Sequence, residues 1–571
     1  MLVLLVCILI VTFNAPFVYR LGHRPFTAVR GVRFSYGVPL LRLVSSVGQN
    51  AALSRPRSGI RVPYESPLNT IMIDIIFCSL PYSDLDHVYS APAILKGVVT
   101  NEGYTAKTVD FGCALLNQCN KNVNYFSQIQ SYFISPVEIT EEIELFYDKC
   151  IEFFIKNPSK FIGISILSMY THRATYELCK RIKESNIKSK IVIGGMGCKT
   201  TVFSSVESVI ISSPKDRMIP FGDLLKSKNL VDECILGDGE DAILQILRNE
   251  YTQSTSTLVS DSFKYPIPNY DDYNFSDYLF PDEVMLPVTG SKGCVRDCDF
   301  CDIKYLFGKY RYRSGSDIAN EIISVSQSLG IKKFQFTDSL VNGGLKPFVK
   351  FLEILADYNL KNPDKKIKWN GQYICRPSSQ MPNGIYKLMS DAGAEGLTIG
   401  AESGSNNVLD LMNKKTTVEA LFEELEQFRI NNITCVILTF VGHWNETWDD
   451  FIDHCKMIIN LTPYVRSGTI SSVSVGPTAM LLHGTPAYNK KDQIGLMLSE
   501  VDNMSVWYNK NNKDNTFKER IRRRLIIYEI CKKLRIPTSL DYDYFTFLKN
   551  IIDTKYDKIN DFYETQFRES N

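Results

Sequence analysis

From Thr70 onward the apolar positions gather into short runs separated by amphipathic stretches. TIMIDIIFCS (70–79), YTAKTVDFG (104–112), FIGISILSM (161–169) and KIVIGGMG (190–197) read as strands. APAILKGVVTNEG (91–103) reads as a helix stopped by glycine, and THRATYELCKRIKES (171–185) carries apolar residues at helical spacing. ECILGDGEDAILQILRNE (233–250) reads as strand, tight turn and helix. Strands alternating with helices predict an α/β, doubly wound parallel sheet. Ligands of such sheets sit beyond the carboxyl ends of the strands.

A second alternation follows a polar stretch, 251–285, that is rich in Ser, Asp, Tyr and Pro and reads as a linker. MLPVTGSKGC (285–294), KKFQFTDSLV (332–341), KIKWNGQYI (366–374), GLTIGAES (396–403), TCVILTFVG (434–442) and SGTISSVSV (467–475) are strand-like, with helical stretches between them. Six such units predict a (β/α)6 partial barrel with its chemistry at the strand C-terminal ends. The expected organisation is a leader or extension at 1–65, a sheet domain at 66–255, a linker at 256–284, a barrel at 285–480 and a mainly helical region at 481–571. The leader begins with the apolar run MLVLLVCILIVTF. That run is shorter than the ~20 residues of a membrane span and lacks the basic start of a secretory signal.

Composition adds little to the function but excludes some classes. The net charge is +1, so no global field points to nucleic acid or an acidic membrane. The basic run RIRRR (Arg520–Arg524) lies in a helical context and reads as a solvated face. Fifteen scattered cysteines, an odd total, suit reduced thiols and a cytoplasmic setting rather than a disulfide scaffold.

Three of those cysteines stand together. Cys294, Cys298 and Cys301 form GCVRDCDFC, a C-x3-C-x2-C triplet, and the next cysteine is Cys375. Three thiolates can hold three corners of a [4Fe–4S] cube and leave one iron open. The alternative is a zinc knuckle, but zinc wants four closed ligands.

The triplet, with Phe300 before its last cysteine, resembles the signature of the radical S-adenosylmethionine (SAM) enzymes. KYRYRS (309–314), FTDSLVN (336–342), GAESGSNNVLDLMNKKTT (400–417) and HGTPAY (483–488) resemble further segments of one subgroup, in order and at matching distances. The resemblance implies an open iron that chelates SAM and an electron that splits it into methionine and a 5′-deoxyadenosyl radical. It places Phe300 beside the adenine. SAM also needs partners for its ribose hydroxyls, its ammonium and its carboxylate. Glu402 and Asp338 end strands and are candidates for the ribose and the sulfonium or ammonium side. Ser403 and Arg376 are further candidates, Arg376 as a two-pronged carboxylate clamp. VGHWNET (441–447) departs from the subgroup's Gly-x-Pro-Gly-Glu-Thr, with His443 and Trp444 replacing the middle. The pair either shapes a substrate pocket or lies on the surface.

The sheet domain carries a second resemblance. Ser165-x-Leu167, followed after 26 residues by Gly194-Gly195, is similar to half of the cobalamin-binding motif, and GDGE (237–240) matches a turn of the same enzymes. The resemblance implies a flavodoxin-like (Rossmann-type) domain. Ser165 would meet the benzimidazole nitrogen, and the glycines would leave room for the nucleotide tail. The Asp-x-His-x-x-Gly half is missing. Asp86 directly precedes His87 in the corresponding loop, and His172 ends another strand; each is a candidate lower cobalt ligand, with a satisfied surface histidine as the default reading for both. Base-off binding without a protein ligand is the expected mode.

Together these features imply a cobalamin-type radical SAM enzyme that methylates an unactivated carbon through methylcobalamin, consuming two SAM molecules. A reductase, ferredoxin or flavodoxin would supply electrons, and no nucleic acid or membrane partner is expected. The alternatives are a cobalamin-independent radical rearrangement, cyclisation or oxidation, and a non-catalytic Fe–S or SAM sensor. A methylthiotransferase is disfavoured, because no extra N-terminal cysteine set or C-terminal RNA-binding domain is evident. Neither the substrate nor a catalytic residue is readable.

Overall fold

A computed structural model describes residues 72–81, 88–202, 206–252, 266–498, 507–512 and 515–538. The expected leader and the Asp86–His87 pair lie outside these residues.

The first domain is a five-stranded parallel sheet of β1 (Ile73–Ser79), β2 (Ala106–Asp110), β3 (Ser159–Ser165), β4 (Lys190–Gly194) and β5 (Glu233–Ile235) in the order β2-β1-β3-β4-β5. Alternation along each strand feeds two cores. Ile76, Cys78, Ile162, Ile164, Ile191 and Ile193 face one side. Ile75, Phe77, Phe161, Val192 and Ile235 face the other, against the helices Ser90–Asn101 and Gly239–Arg248. A sheet buried on both faces needs such apolar runs. Chain order reverses between β1 and β3, which makes their carboxyl ends the switch point of the fold. The register brings Ser79, Ser165, Gly194 and Ile235 into one row across that edge.

The second domain is the barrel. β6 (Met285–Val288), β9 (Lys333–Phe336) and β10 (Lys368–Asn370) form one parallel sheet, in the order β10-β9-β6. β11 (Gln372–Tyr373), β12 (Leu397–Glu402), β13 (Cys435–Val441) and β14 (Ile470–Thr478) form another. β10 and β11 are one expected strand broken at Gly371, where a Cβ would come within 2.6 Å of Val341 and 2.9 Å of Phe336. Between β6 and β9 lies a short antiparallel ladder of β7 (Ser291–Lys292) and β8 (Arg311–Tyr312). Leu286, Phe334, Trp369, Ile399, Ile437 and Val473 fill the barrel core. The helix Phe517–Leu534 packs against β13 and β14.

The described part of the expected linker is packed rather than free. Asp272 pairs with Lys96 at 2.6 Å and accepts from the Thr108 amide at 2.7 Å. The Tyr278 hydroxyl donates to Asp110 at 2.9 Å, and Tyr270 and Tyr278 are buried. Polar composition suggested a linker; the Asp272 carboxylate and the Tyr278 phenol instead satisfy groups of the first domain. A second seam joins the domains through charge. Asp238 receives Lys292 at 3.0 Å and Arg311 at 2.6 Å, and Glu240 receives Lys292 at 3.0 Å. The GDGE turn is thereby tied to the ladder that flanks the cysteines.

Lys96 is buried, so removing its partner leaves an uncompensated ammonium. Asp272→Ala is expected to lower the unfolding free energy by about 3 kcal/mol, measured by chemical denaturation. An unchanged midpoint would show that the seam carries no stability.

Candidate active site

The cysteine loop leaves β6 through β7 and has no regular structure of its own between Gly293 and Asp302. Its shape is set by neighbours. The Asp299 amide donates to the Met412 carbonyl at 3.0 Å, the Ala487 amide donates to the Asp299 carbonyl at 3.0 Å, and Asn413 Nδ2 donates to the Asp297 carbonyl at 2.9 Å. Cys294, Cys298 and Cys301 line one cavity at the carboxyl ends of the barrel strands, with Arg296, Phe300, Glu402 and Lys414. Among the described residues, no three His, Cys, Asp or Glu side chains converge as they would around a single ion. Three thiols on the wall of one cavity suit a cluster held at three of its corners. Burial pushes the Cys298 thiol up to about 11 and raises Cys294 and Cys301 as well. Thiolates so placed need a cation to stabilise them, which bound iron provides.

Glu402 reaches the cavity through a local distortion. The pairing of β12 with β13 shifts register between Gly400 and Glu402, and Glu402 takes a left-handed φ of 60°. A bulge of this kind re-aims a side chain. Glu402 accepts from Lys414 Nζ at 2.6 Å, and Lys414 also stands 6.0 Å from the centre of the Phe300 ring. Gly400 makes room for the pair: a Cβ there would lie 2.3 Å from Glu402 Oε1 and 3.0 Å from Lys414 Nζ. Burial acts to lower the pKa of the Lys414 ammonium, but Glu402 and the neighbouring Cys298 hold it above its ordinary value. Phe300 meets Phe440 edge-on, with centroids 5.1 Å apart. An ionised acceptor and a flat aromatic slot are what a ribose and an adenine require.

Other expected site residues stand elsewhere. Asp338 does not line this cavity. It is buried beneath the cysteine loop, where it accepts from the Gly290 amide at 2.7 Å and the Ser291 hydroxyl at 2.6 Å. Ser403 is also buried, and its hydroxyl accepts from the Ser405 amide at 3.2 Å. Arg376 lies behind the wall and donates to the carbonyls of Asn342 and Gly343 at 3.1 and 3.2 Å. Burial, and then the charge of Arg296, lower its pKa. His443 and Trp444, of which one reading made a surface pair, are both buried.

RIRRR is corrected too. Arg520, Arg523 and Arg524 are buried; Arg520 stacks 3.6 Å over Trp507, Arg523 pairs with Glu446 at 2.6 Å, and Arg524 donates to the Val475 carbonyl at 3.4 Å. Trp507 is buried in a small core with Trp444, Ala479 and Leu481. Sequence reasoning missed Lys414 and Arg296. The matched stretch 400–417 contained Lys414, but nothing in its spacing says that this lysine folds back on Glu402.

A second cavity opens at the switch point of the first domain. Ser165, Leu167, Gly194 and Gly195 all line it, as do Asp238 and Glu240 of the GDGE turn. Ser165 ends β3 on the wall of this cavity and is half-buried there. At Gly194 a Cβ would make only ordinary contact with Ile235 at 3.4 Å, so the chain itself does not require glycine there. At Gly195 it does: φ is +108° and a Cβ would lie 2.5 Å from the Ile166 carbonyl oxygen. A serine on the wall and a side-chain-free edge fit the tail of a corrinoid. His172 is not part of this wall, and it is not the surface histidine that was expected. It is buried, its Nε2 lies 2.9 Å from the Gly197 carbonyl, its ring stacks on Phe221 at 3.9 Å, and burial pushes its pKa down to about 3. Ser339 lines both cavities, so they meet at one side chain.

Burial pushes the Asp338 carboxyl up to about 7. In the unfolded chain it titrates near its ordinary value of 3.8, so the folded form holds the extra proton between those limits. This contribution to stability is present at low pH and is lost as pH rises towards 7. Asp338→Asn removes that loss. Its stability relative to wild type is expected to rise between pH 5 and pH 7.5, read by urea denaturation at both values; a constant difference would contradict the assignment.

Comparison with known proteins agrees with this geometry. Residues 288–458 match the radical SAM superfamily. Bacteriochlorophyllide d C-12(1)-methyltransferase of Chlorobaculum tepidum is 22% identical over 281 residues, covering 48% of this chain and 56% of the relative. The tRNA-2-methylthio-N(6)-dimethylallyladenosine synthase of Aquifex aeolicus is 24% identical over 322 residues, covering 55% and 65%. The aligned regions thus span less than two thirds of these relatives' lengths. Among solved structures, the radical SAM methyltransferase TsrM of Kitasatospora setae, with cobalamin and a [4Fe–4S] cluster bound, superposes with a TM-score of 0.53 at 13% identity, over 75% of this chain and 77% of that one. The cobalamin-dependent radical SAM enzyme OxsB with aqua-cobalamin gives 0.54 at 13% identity, over 78% and 66%. The match places a radical SAM domain at residues 288–458, and the sheet-plus-barrel fold is similar to that of the solved cobalamin-dependent radical SAM enzymes.

Proposed function

We propose that the protein is a cobalamin-dependent radical SAM methyltransferase acting on an unactivated carbon. The observation that carries this reading is the meeting of two cavities at Ser339, one lined by the three cysteines and the other by the switch-point residues. Cys294, Cys298 and Cys301 would hold a [4Fe–4S] cluster. Phe300 would flank the adenine of SAM, and Glu402, held by Lys414, would accept from its ribose hydroxyls. Arg376, Ser403 and Asp338 would act from behind the wall, by fixing strand ends and the cysteine loop. Ser165 would meet the tail of cobalamin, and Leu167, Gly194 and Gly195 would shape its cradle. The cluster and SAM supply a radical that abstracts hydrogen, and cobalamin supplies the methyl group.

The chain's own task is to orient both cofactors and exclude water. Glu402 and Lys414 keep opposite charges paired at the cavity wall, so their side chains are fixed before ligand arrives. A substrate carbon would lie near Ser339, within reach of both cavities. Electrons would come from a reductase, ferredoxin or flavodoxin in a reducing, cytoplasmic setting. All described cysteines are free, which agrees with such a compartment. No described helix is long and apolar enough to cross a membrane.

Anaerobic reconstitution with iron, sulfide and hydroxocobalamin tests the reading. Wild-type protein is expected to retain both iron and cobalt after desalting and to form 5′-deoxyadenosine from SAM on dithionite reduction. Cys298→Ala is expected to lose the iron and at least 100-fold of that product, roughly the upper end for a lost ligand-sphere contact. Product formation without cobalt retention would favour the cobalamin-independent chemistry. Undiminished product from Cys298→Ala would overturn the cluster assignment.

A further inference from the structure

The position of Asp299, between Cys298 and Phe300, is fixed by three segments far apart in sequence. Its amide is held by Met412 and its carbonyl by Ala487. Its carboxylate Oδ2 lies 3.1 Å from Nε2 of His443. The other oxygen, Oδ1, is buried without a partner among the described residues, so His443 provides the carboxylate's side-chain contact there.

His443 is built for that contact. It is fully buried, and its Nδ1 accepts weakly from the Asn445 amide at 3.5 Å, which leaves Nε2 to carry the proton and donate to Asp299. The Trp444 ring packs 4.3 Å away. The His443 carbonyl accepts from Asn515 Nδ2 at 2.7 Å and from the Glu446 amide at 2.8 Å. Glu446 in turn accepts from the Gly442 amide at 3.1 Å and is paired with the buried Arg523. A rigid loop, fastened to the C-terminal helix, thus presents one N–H to the residue next to a cysteine. Partners one bond beyond a metal ligand commonly set the ligand's orientation.

We propose that His443 is a positioning residue for the cysteine loop: its hydrogen bond to Asp299 fixes the loop between Cys298 and Phe300 and so sets the geometry of the cluster and of the ring beside SAM. The inference rests on the proposed cluster and SAM site. It goes beyond it by giving a role to His443, the residue after Gly442 in the segment that departs from the subgroup's pattern.

The test compares His443→Leu, His443→Gln and Asp299→Ala with wild type after anaerobic reconstitution. Iron content, the electron paramagnetic resonance spectrum of the reduced protein with and without SAM, and the SAM dissociation constant are read for each. His443→Leu and Asp299→Ala are expected to change the cluster's g values, to blunt the SAM-induced spectral shift and to weaken SAM binding about 10-fold. His443→Gln, which keeps an N–H donor, is expected to restore all three. Wild-type spectra and affinity in the Leu and Ala variants would overturn the proposal, as would a Gln variant as impaired as Leu. Should His443→Leu fail to fold by circular dichroism, Asp299→Ala decides alone, because that side chain lies at the partly exposed loop. A wild-type protein without iron would remove the underlying site and this inference together. Normal wild-type iron with unaffected variants would sink the inference only.

Discussion

Everything in the catalytic half depends on giving shape to a loop that has none of its own. Ten residues between β7 and the next helical turn must place three thiols on one wall, yet they make no ladder and no helix. The loop's backbone groups are therefore satisfied from outside, as buried backbone must be. Met412, Asn413 and Ala487 supply those bonds, and all three lie in segments more than a hundred residues further along the chain. The barrel is what brings those segments back. Parallel strands joined by helices return every carboxyl end to the same face, so residues near 300, 412, 443 and 487 can meet there.

Charge is handled in the same way. Several buried or half-buried ions among the described residues come in pairs or small networks: Glu402 with Lys414, Arg313 with Glu321, Glu446 with Arg523, and Asp238 and Glu240 with Lys292 and Arg311. Breaking one partner of such a pair leaves a desolvated charge, so each pair also fixes position. Two of them bear on function. The first aims a carboxylate into the cysteine-lined cavity. The second ties the edge of the switch-point cavity to the strand that enters the cysteine loop.

The sequence made some of this legible and concealed the rest, for physical reasons. Both sheets could be read because their strands are short apolar runs bounded by turns, a signal local to each strand. The cysteine triplet could be read because its spacing is local too. The positions of Asp338 and Ser403 could not. Both follow strands as Glu402 does, but the direction of a side chain past a strand end depends on the neighbouring strand. Gly290 and Ser291 capture Asp338 from below, whereas a bulge turns Glu402 inward. RIRRR misled because a run of like charge reads as solvated; the partners that bury it, Trp507, Glu446 and the Val475 carbonyl, come from elsewhere in the chain. His443 lay in a segment that departs from a pattern, but its contact with Asp299, 144 residues away, exists only in the fold.

The central claim is that two cofactor cavities adjoin. Electron paramagnetic resonance of protein carrying both a reduced cluster and the paramagnetic cobalt(II) form of cobalamin tests it directly. Adjoining sites predict spin–spin coupling that broadens or splits both signals. Two signals identical to those of singly loaded samples would place the cofactors too far apart and contradict the account.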